Sequence, residues 1–136
     1  MKTYIGLDLG SKTLGIAIST SGIIANTYQT FRFKSEDYDE AISMLLDVIT
    51  KEKVDVVVLG FPKHMNNDIG IRGQISQQFK EKLEQKTDAK VILWDERLST
   101  QSALKVMQGS HKKDRKAKKD ELAAVLILQN YLDSIR

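Results

Sequence analysis

Three acidic residues stand where they could do more than solvate a surface. Asp8 lies between apolar neighbours in Ile5-Gly6-Leu7-Asp8-Leu9-Gly10. A carboxylate placed mid-strand among apolar residues loses hydration and needs compensation. An exposed strand position, a turn-capping role or a metal ion would each supply it. Gly6 and Gly10 leave room beside it for a phosphate or for another backbone. Glu96 follows Asp95 at the end of the run Ala89-Lys90-Val91-Ile92-Leu93-Trp94. Adjacent strand residues face opposite sides, so one of that acidic pair points into a given site, and Arg97 can neutralise the other or bind phosphate. Asp120 precedes the apolar run from Leu122 to Leu128. It reads either as a helix cap and dipole partner or as a third ligand. Carboxylates from three separated segments suit Mg²⁺ or Mn²⁺, hard cations that take oxygen donors. Two such ions about 3.5–4 Å apart would activate water and stabilise the leaving oxygen of a phosphodiester.

Positive charge gathers beside Asp120. Between His111 and Lys119 stand Lys112, Lys113, Arg115, Lys116, Lys118 and Lys119 against one acid, Asp114. Such a run is either a solvated loop or a contact for backbone phosphates, which are bound by charge without reading bases. Lys12, Lys63, Arg72 and Arg97 would enlarge the surface. Aromatic residues make up 7% of the chain, too few for an extended base-stacking ladder. His64 and His111 fall in no zinc motif and read as solvated loop residues, with His111 able to touch phosphate. Gly10-Ser11-Lys12-Thr13 is not the GxxxxGK[ST] phosphate loop. Its nearer rival is the Asp-Gly-Ser/Thr hairpin of sugar-kinase and actin-like ATPases, which need two large lobes.

The elements that must carry these residues follow from periodicity. Residues 3–9, 13–20 and 23–33 read as three strands joined by short links, hence an antiparallel meander. Asp37 and Glu40 form a capping box before Ala41, Ile42, Leu45, Leu46 and Ile49, which recur at helical spacing. Residues 54–59 are a β-branched run suited to a strand buried on both faces. A loop with the only proline, Pro62, leads to a helix striped by Ile71, Ile75, Phe79 and Leu83. A fifth strand over 89–94, a short helix over 100–107, a basic loop over 109–119 and a last helix over 120–132 complete the chain. The expectation is an α/β fold: a mixed five-stranded sheet with helices on both faces. At the carboxyl ends of its parallel strands Asp8 and Glu96 can meet if strands one and five share that edge.

Composition narrows the chemistry. The chain has 136 residues, which predicts one domain over 1–136. By surface scaling it is large enough to bury about two thirds of its surface on folding. With no cysteine, disulfides, zinc knuckles, iron–sulfur centres and thiol nucleophiles are excluded, and a reduced cytoplasm is the expected compartment. Net charge is +3, a mild excess. No export signal precedes the first strand, and the seven residues Leu122–Leu128 are too few to cross a bilayer, so no membrane partner is expected.

Five segments taken in order resemble a known family: Gly6-Leu7-Asp8-Leu9-Gly10-Ser11-Lys12-Thr13-Leu14-Gly15, Val58-Leu59-Gly60-Phe61-Pro62-Lys63, Gly70-Ile71-Arg72-Gly73, Asp95-Glu96-Arg97-Leu98-Ser99-Thr100 and Asp120-Glu121-Leu122-Ala123-Ala124-Val125. By these segments the chain resembles the YqgF/RuvX family, Holliday-junction-resolvase-like nucleases assigned to pre-16S rRNA, over nearly its whole length. The resemblance implies a ribonuclease H-like fold and metal carboxylates at Asp8, Glu96 and Asp120. It also implies a hydrolase acting in the cytoplasm on structured RNA, in 5′-end processing of pre-16S rRNA for ribosome biogenesis. Relatives linked to branched DNA make that a second substrate class. A non-catalytic, structured-RNA-binding ribosome-assembly protein is the alternative. The expected assembly is a monomer or weak homodimer. The family pattern more often has Asn at the position of His64 and Gly at that of Asn67, both in a loop beside the expected site.

Overall fold

The computed structural model describes residues 2–61, 70–95 and 112–135, with side chains throughout except at 61, 70–72, 95 and 112–120. Its element order is β1 (Tyr4–Leu9), β2 (Thr13–Ser19), β3 (Asn26–Arg32), α1 (Tyr38–Glu52), β4 (Val56–Phe61), α2 (Gly70–Glu84), β5 (Lys90–Asp95) and α3 (Lys112–Ser134). The strands form one sheet in the order β3-β2-β1-β4-β5. β1 pairs antiparallel with β2 and β2 with β3, whereas β1, β4 and β5 are parallel. This is the expected mixed sheet.

Strand alternation splits the core into two layers. Ile5, Leu7, Leu9, Leu14, Ile16, Val57, Leu59 and Val91 face α1 and α2, where they meet Ile42, Leu45, Phe79 and Leu83. Ala17, Val56 and Val58 face α3, where Ala124, Ile127, Leu128 and Leu132 are buried. Helices therefore cover both faces. Tyr131 of α3 lies against Tyr4 and stands edge-on to Trp94. Burial, with the nearby Tyr4 phenol adding to it, raises the Tyr131 pKa above its usual 10.0.

Several boundaries differ from those the periodicity predicts, each for a local reason. β3 begins at Asn26 rather than at residue 23 because the preceding chain is spent on a turn. Ser19 Oγ accepts the Gly22 N–H, Ser21 Oγ accepts those of Ile23 and Ile24, and Gly22 has φ 76°. β4 begins at Val56 because Val54 N–H still closes α1 by donating to Ile49 O, after Lys53 in the left-handed region. Asp37 caps α1 by accepting the Glu40 N–H at 3.2 Å. The reciprocal half of the capping box does not form, since the Asp37 N–H donates to Lys34 O at 2.8 Å. One residue of β3, Tyr28, is a bulge between the pairs Ile16↔Gln29 and Ala17↔Thr27. The bulge puts it on the same face as Phe31, and its hydroxyl donates to Glu52 at 2.9 Å.

The largest correction concerns α3. It begins at Lys112, so the basic segment expected as a loop is the first two turns of the helix, and Asp120 is its ninth residue rather than its start. Residues 112–120 hold Lys, Arg, Ala and Asp with no Gly or Pro, a composition dominated by good helix formers. The capping role for Asp120 therefore falls away. The short helix expected over 100–107 lies outside the described residues.

Candidate active site

β1 carries Asp8 on the α3 face. Tyr4 and Gly6, at the same strand parity, both pack against that helix. Asp8 is half-buried and stands opposite Gly15 of β2. On its other side β4 reaches Gly60, one residue past the pair Leu7↔Leu59, and Gly60 is level with Trp94 of β5. Asp8 thus has a glycine on each neighbouring strand. No side chain from β2 or β4 stands in its row.

The glycine at position 6 sets how near α3 can come. A Cβ there would lie 2.6 Å from Leu128 Cβ and 2.8 Å from Ala124 O. The room left by Gly6 is therefore filled by the helix itself, not by a ligand. At Gly60 a Cβ would lie 2.6 Å from Ile127 Cδ1, the movable end of a side chain. Gly6→Ala should therefore cost about 3 kcal/mol, the upper end for overpacking, and Gly60→Ala nearer 1 kcal/mol. Urea unfolding of the two variants checks this, and the reverse order would contradict the packing described.

The direction of α3 places Asp120. Tyr131 sits on Tyr4 at the start of β1, and Leu128 and Ala124 sit on Gly6 two residues on. The helix therefore runs back along the strand. Two strand residues span roughly 6.6 Å and four helical residues roughly 6 Å, so the backbone near residue 122 comes level with Asp8, and Asp120 is within one turn of it. The eight residues before Asp120 extend the helix roughly 12 Å further, past the carboxyl edge of the sheet. The backbones of Lys112, Lys113, Arg115, Lys116, Lys118 and Lys119 lie on this arm.

The parallel strands bring the end of β5 to the same edge. Asp95, its last residue, pairs with Phe61, the last of β4. β1 and β5 are separated by β4 alone, roughly 10 Å across at ordinary strand spacing. The requirement that strands one and five share an edge is met up to Asp95. Glu96, Arg97, Lys63, His64 and His111 lie outside the described residues. Arg72 is in the first turn of α2, which follows the carboxyl end of β4. Lys12 is exposed in the β1–β2 turn, where Gly10 N–H donates to Thr13 O at 2.7 Å. Among the described residues no group of three or more His, Asp or Glu could hold a metal ion. Of the three carboxylates, Asp8 alone has a described side chain.

Comparison with known proteins accounts for this arrangement. A family model described as "RuvX: Holliday junction resolvase" matches residues 2–134. The chain belongs to the RuvX family. Among its RuvX relatives, a protein of Onion yellows phytoplasma (strain OY-M) named "Putative pre-16S rRNA nuclease" is 53% identical over 97% of this chain and 89% of its own length. A Bacillus subtilis (strain 168) protein of the same name is 44% identical over 96% of this chain and 97% of its own. In fold, this RuvX chain is similar to the structure titled "T. thermophilus RuvC in complex with Holliday junction substrate", with TM-score 0.66 and 12% identity over 99% of this chain and 96% of that one. It is also similar to a Fowlpox virus resolvase solved with Holliday junction DNA, with TM-score 0.58 and 17% identity over 98% of each chain. The ribonuclease H-like architecture read from the sequence stands. No helix among the described residues is long and apolar enough to cross a membrane.

Proposed function

We propose that this protein is a metal-dependent nuclease that hydrolyses phosphodiester bonds in structured RNA, in the 5′-end processing of pre-16S rRNA. The observation that carries the reading is the setting of Asp8: a half-buried carboxylate at the carboxyl edge of the parallel strands, flanked by Gly15 and Gly60, with the end of β5 and the Asp120 turn of α3 brought to it. The names of the relatives supply the substrate.

The donor set fits hard cations. Asp8, Glu96 and Asp120 offer only carboxylate oxygens, and the chain has no cysteine to draw a softer metal. These three residues would hold a pair of Mg²⁺ or Mn²⁺ ions, which when bound supply an activated water and charge stabilisation at the phosphate. The protein's own work is placement. Gly15 and Gly60 keep β2 and β4 side chains out of the row of Asp8, and α3 packs over that face of the sheet. Lys12, Lys63, Arg72 and Arg97 and the basic arm of α3 neutralise phosphates on either side of the scissile bond without reading bases. No serine or tyrosine of the chain falls in a recognisable nucleophile motif, and in this reading water is the attacking group.

The test is a cleavage assay with purified protein on precursor 16S RNA and on a four-way DNA junction, with Mg²⁺, Mn²⁺ or EDTA. The expected result is metal-dependent cutting of the RNA that EDTA abolishes. Preferential cutting of the junction would move the assignment to branched DNA. Tight RNA binding without cutting in either metal would favour a non-catalytic assembly protein.

A further inference from the structure

The charge beside Asp8 is not confined to the arm of α3. Two further cations, Arg32 and Lys34, lie at the β3 edge of the sheet. Arg32 pairs with Thr13 at the end of the β2–β3 ladder, and the Phe33 N–H donates to Lys12 O at 2.9 Å. Lys12, Arg32 and Lys34 thus sit on adjoining backbone, and all three are exposed. None is in an ion pair among the described residues.

The face is the relevant one. Phe31 and Phe33 pack into the α1–α2 layer, so Arg32 between them is at the parity of the α3 face, which Asp8 shares. Across the sheet Asp8 is level with Gly15, and Gly15 with Thr30, two residues before Arg32. Two strand spacings and two strand residues separate Arg32 from Asp8, roughly 12 Å between Cα positions. The nearby acids do little to cancel this charge. Asp37 caps α1 and Asp39 pairs with Lys82 at 3.3 Å, leaving Glu36.

We infer that Lys12, Arg32 and Lys34 form a second phosphate-binding wall at the β3 edge, which holds the nucleic-acid backbone on the side of Asp8 away from β5. The inference rests on the nuclease reading above and adds to it a direction. The bound strand crosses the carboxyl edge of the sheet from the end of β5, over Asp8, to the β2–β3 end. Contacts of this kind are electrostatic and blind to sequence, and each phosphate neutralised contributes roughly 0.7–0.9 to the salt dependence of binding. They position substrate and leave the bond-breaking step alone.

The experiment is fluorescence anisotropy of a labelled precursor 16S fragment and of a labelled four-way DNA junction, in Ca²⁺, over a range of salt. It compares wild type, Arg32→Gln/Lys34→Gln, Lys34→Gln, Lys34→Glu and a control, Lys51→Gln/Lys86→Gln. The control changes exposed lysines at the other end of the parallel strands. The double variant should lower the slope of log K against log salt by roughly 1.4–1.8. Lys34→Glu should weaken binding more than Lys34→Gln does, and the control should match wild type. Cleavage at saturating substrate should be unchanged in the double variant while its KM rises. An unchanged slope in a folded double variant, with wild-type binding and cutting intact, would overturn this wall and leave the nuclease reading standing. Wild type that binds neither nucleic acid would overturn both. A slope change on the junction alone would overturn the RNA path proposed here.

Discussion

Asp8→Asn should abolish detectable cleavage while leaving the protein folded and able to bind RNA. The substitution keeps the shape of the side chain and removes its charge. Asp8 is half-buried at a strand end, away from the α1–α2 core, so stability should change little. The catalytic loss should be large. Removing a group that merely orients a metal ligand already costs about 10–100-fold, so removing a ligand itself should cost at least the upper figure. Glu96→Gln and Asp120→Asn should follow it, because ions shared by three carboxylates fail when any one is neutralised. Single-turnover cleavage of precursor 16S RNA at saturating enzyme measures this without interference from binding. Equal cutting by wild type and all three variants would expose a contaminating nuclease.

Replacing Lys112, Lys113, Arg115 and Lys116 by Gln should give the second large effect, on affinity rather than on chemistry. These residues lie on the helical arm that passes the edge of the sheet. Without these four cations on the phosphates, the salt slope should flatten by roughly 2.8–3.6, which changes the affinity ratio between 50 and 200 mM salt by roughly 50–150-fold. The weakening should be alike for RNAs of unrelated sequence, since charge does not read bases. Because these residues form helical turns and not a loop, a helix-breaking Pro at Ala117 should weaken binding with every charge retained. An unchanged slope in the four-residue variant would remove the arm from the interface.

Much of the fold was legible because its signals are local. The change from period 2 to 3.6 at Asp37, the β-branched run Val56-Val57-Val58 and the apolar face of Leu128 and Leu132 each fix an element by burial alone. What was not legible was decided by competition between neighbours. The reach of α3 back to Lys112 was hidden because a run of lysines looks the same in a solvated loop and on a helix whose next turns are anchored by Ala124 and Leu128. The start of β3 turned on Ser19 and Ser21 hydroxyls capturing backbone N–H groups, a choice no hydrophobic pattern carries. The role of Gly6 was half readable. A glycine beside a carboxylate signals close approach, but only the packing shows that the approaching group is the backbone of Ala124. Arg32 was missed because its meaning lies in register: nothing near it in the sequence says that it ends level with the turn after Asp8.

In the proposed reading Asp8, Glu96 and Asp120 converge on a shared metal site. The most direct test is an anomalous-difference map from crystals of the full chain soaked in Mn²⁺. Density is expected within about 2–2.5 Å of oxygens from all three carboxylates, the range of hard-cation ligands. At saturating Mn²⁺, ordered carboxylates more than about 10 Å apart, far beyond what one ion and its ligands can span, with no density at Asp8, would contradict it.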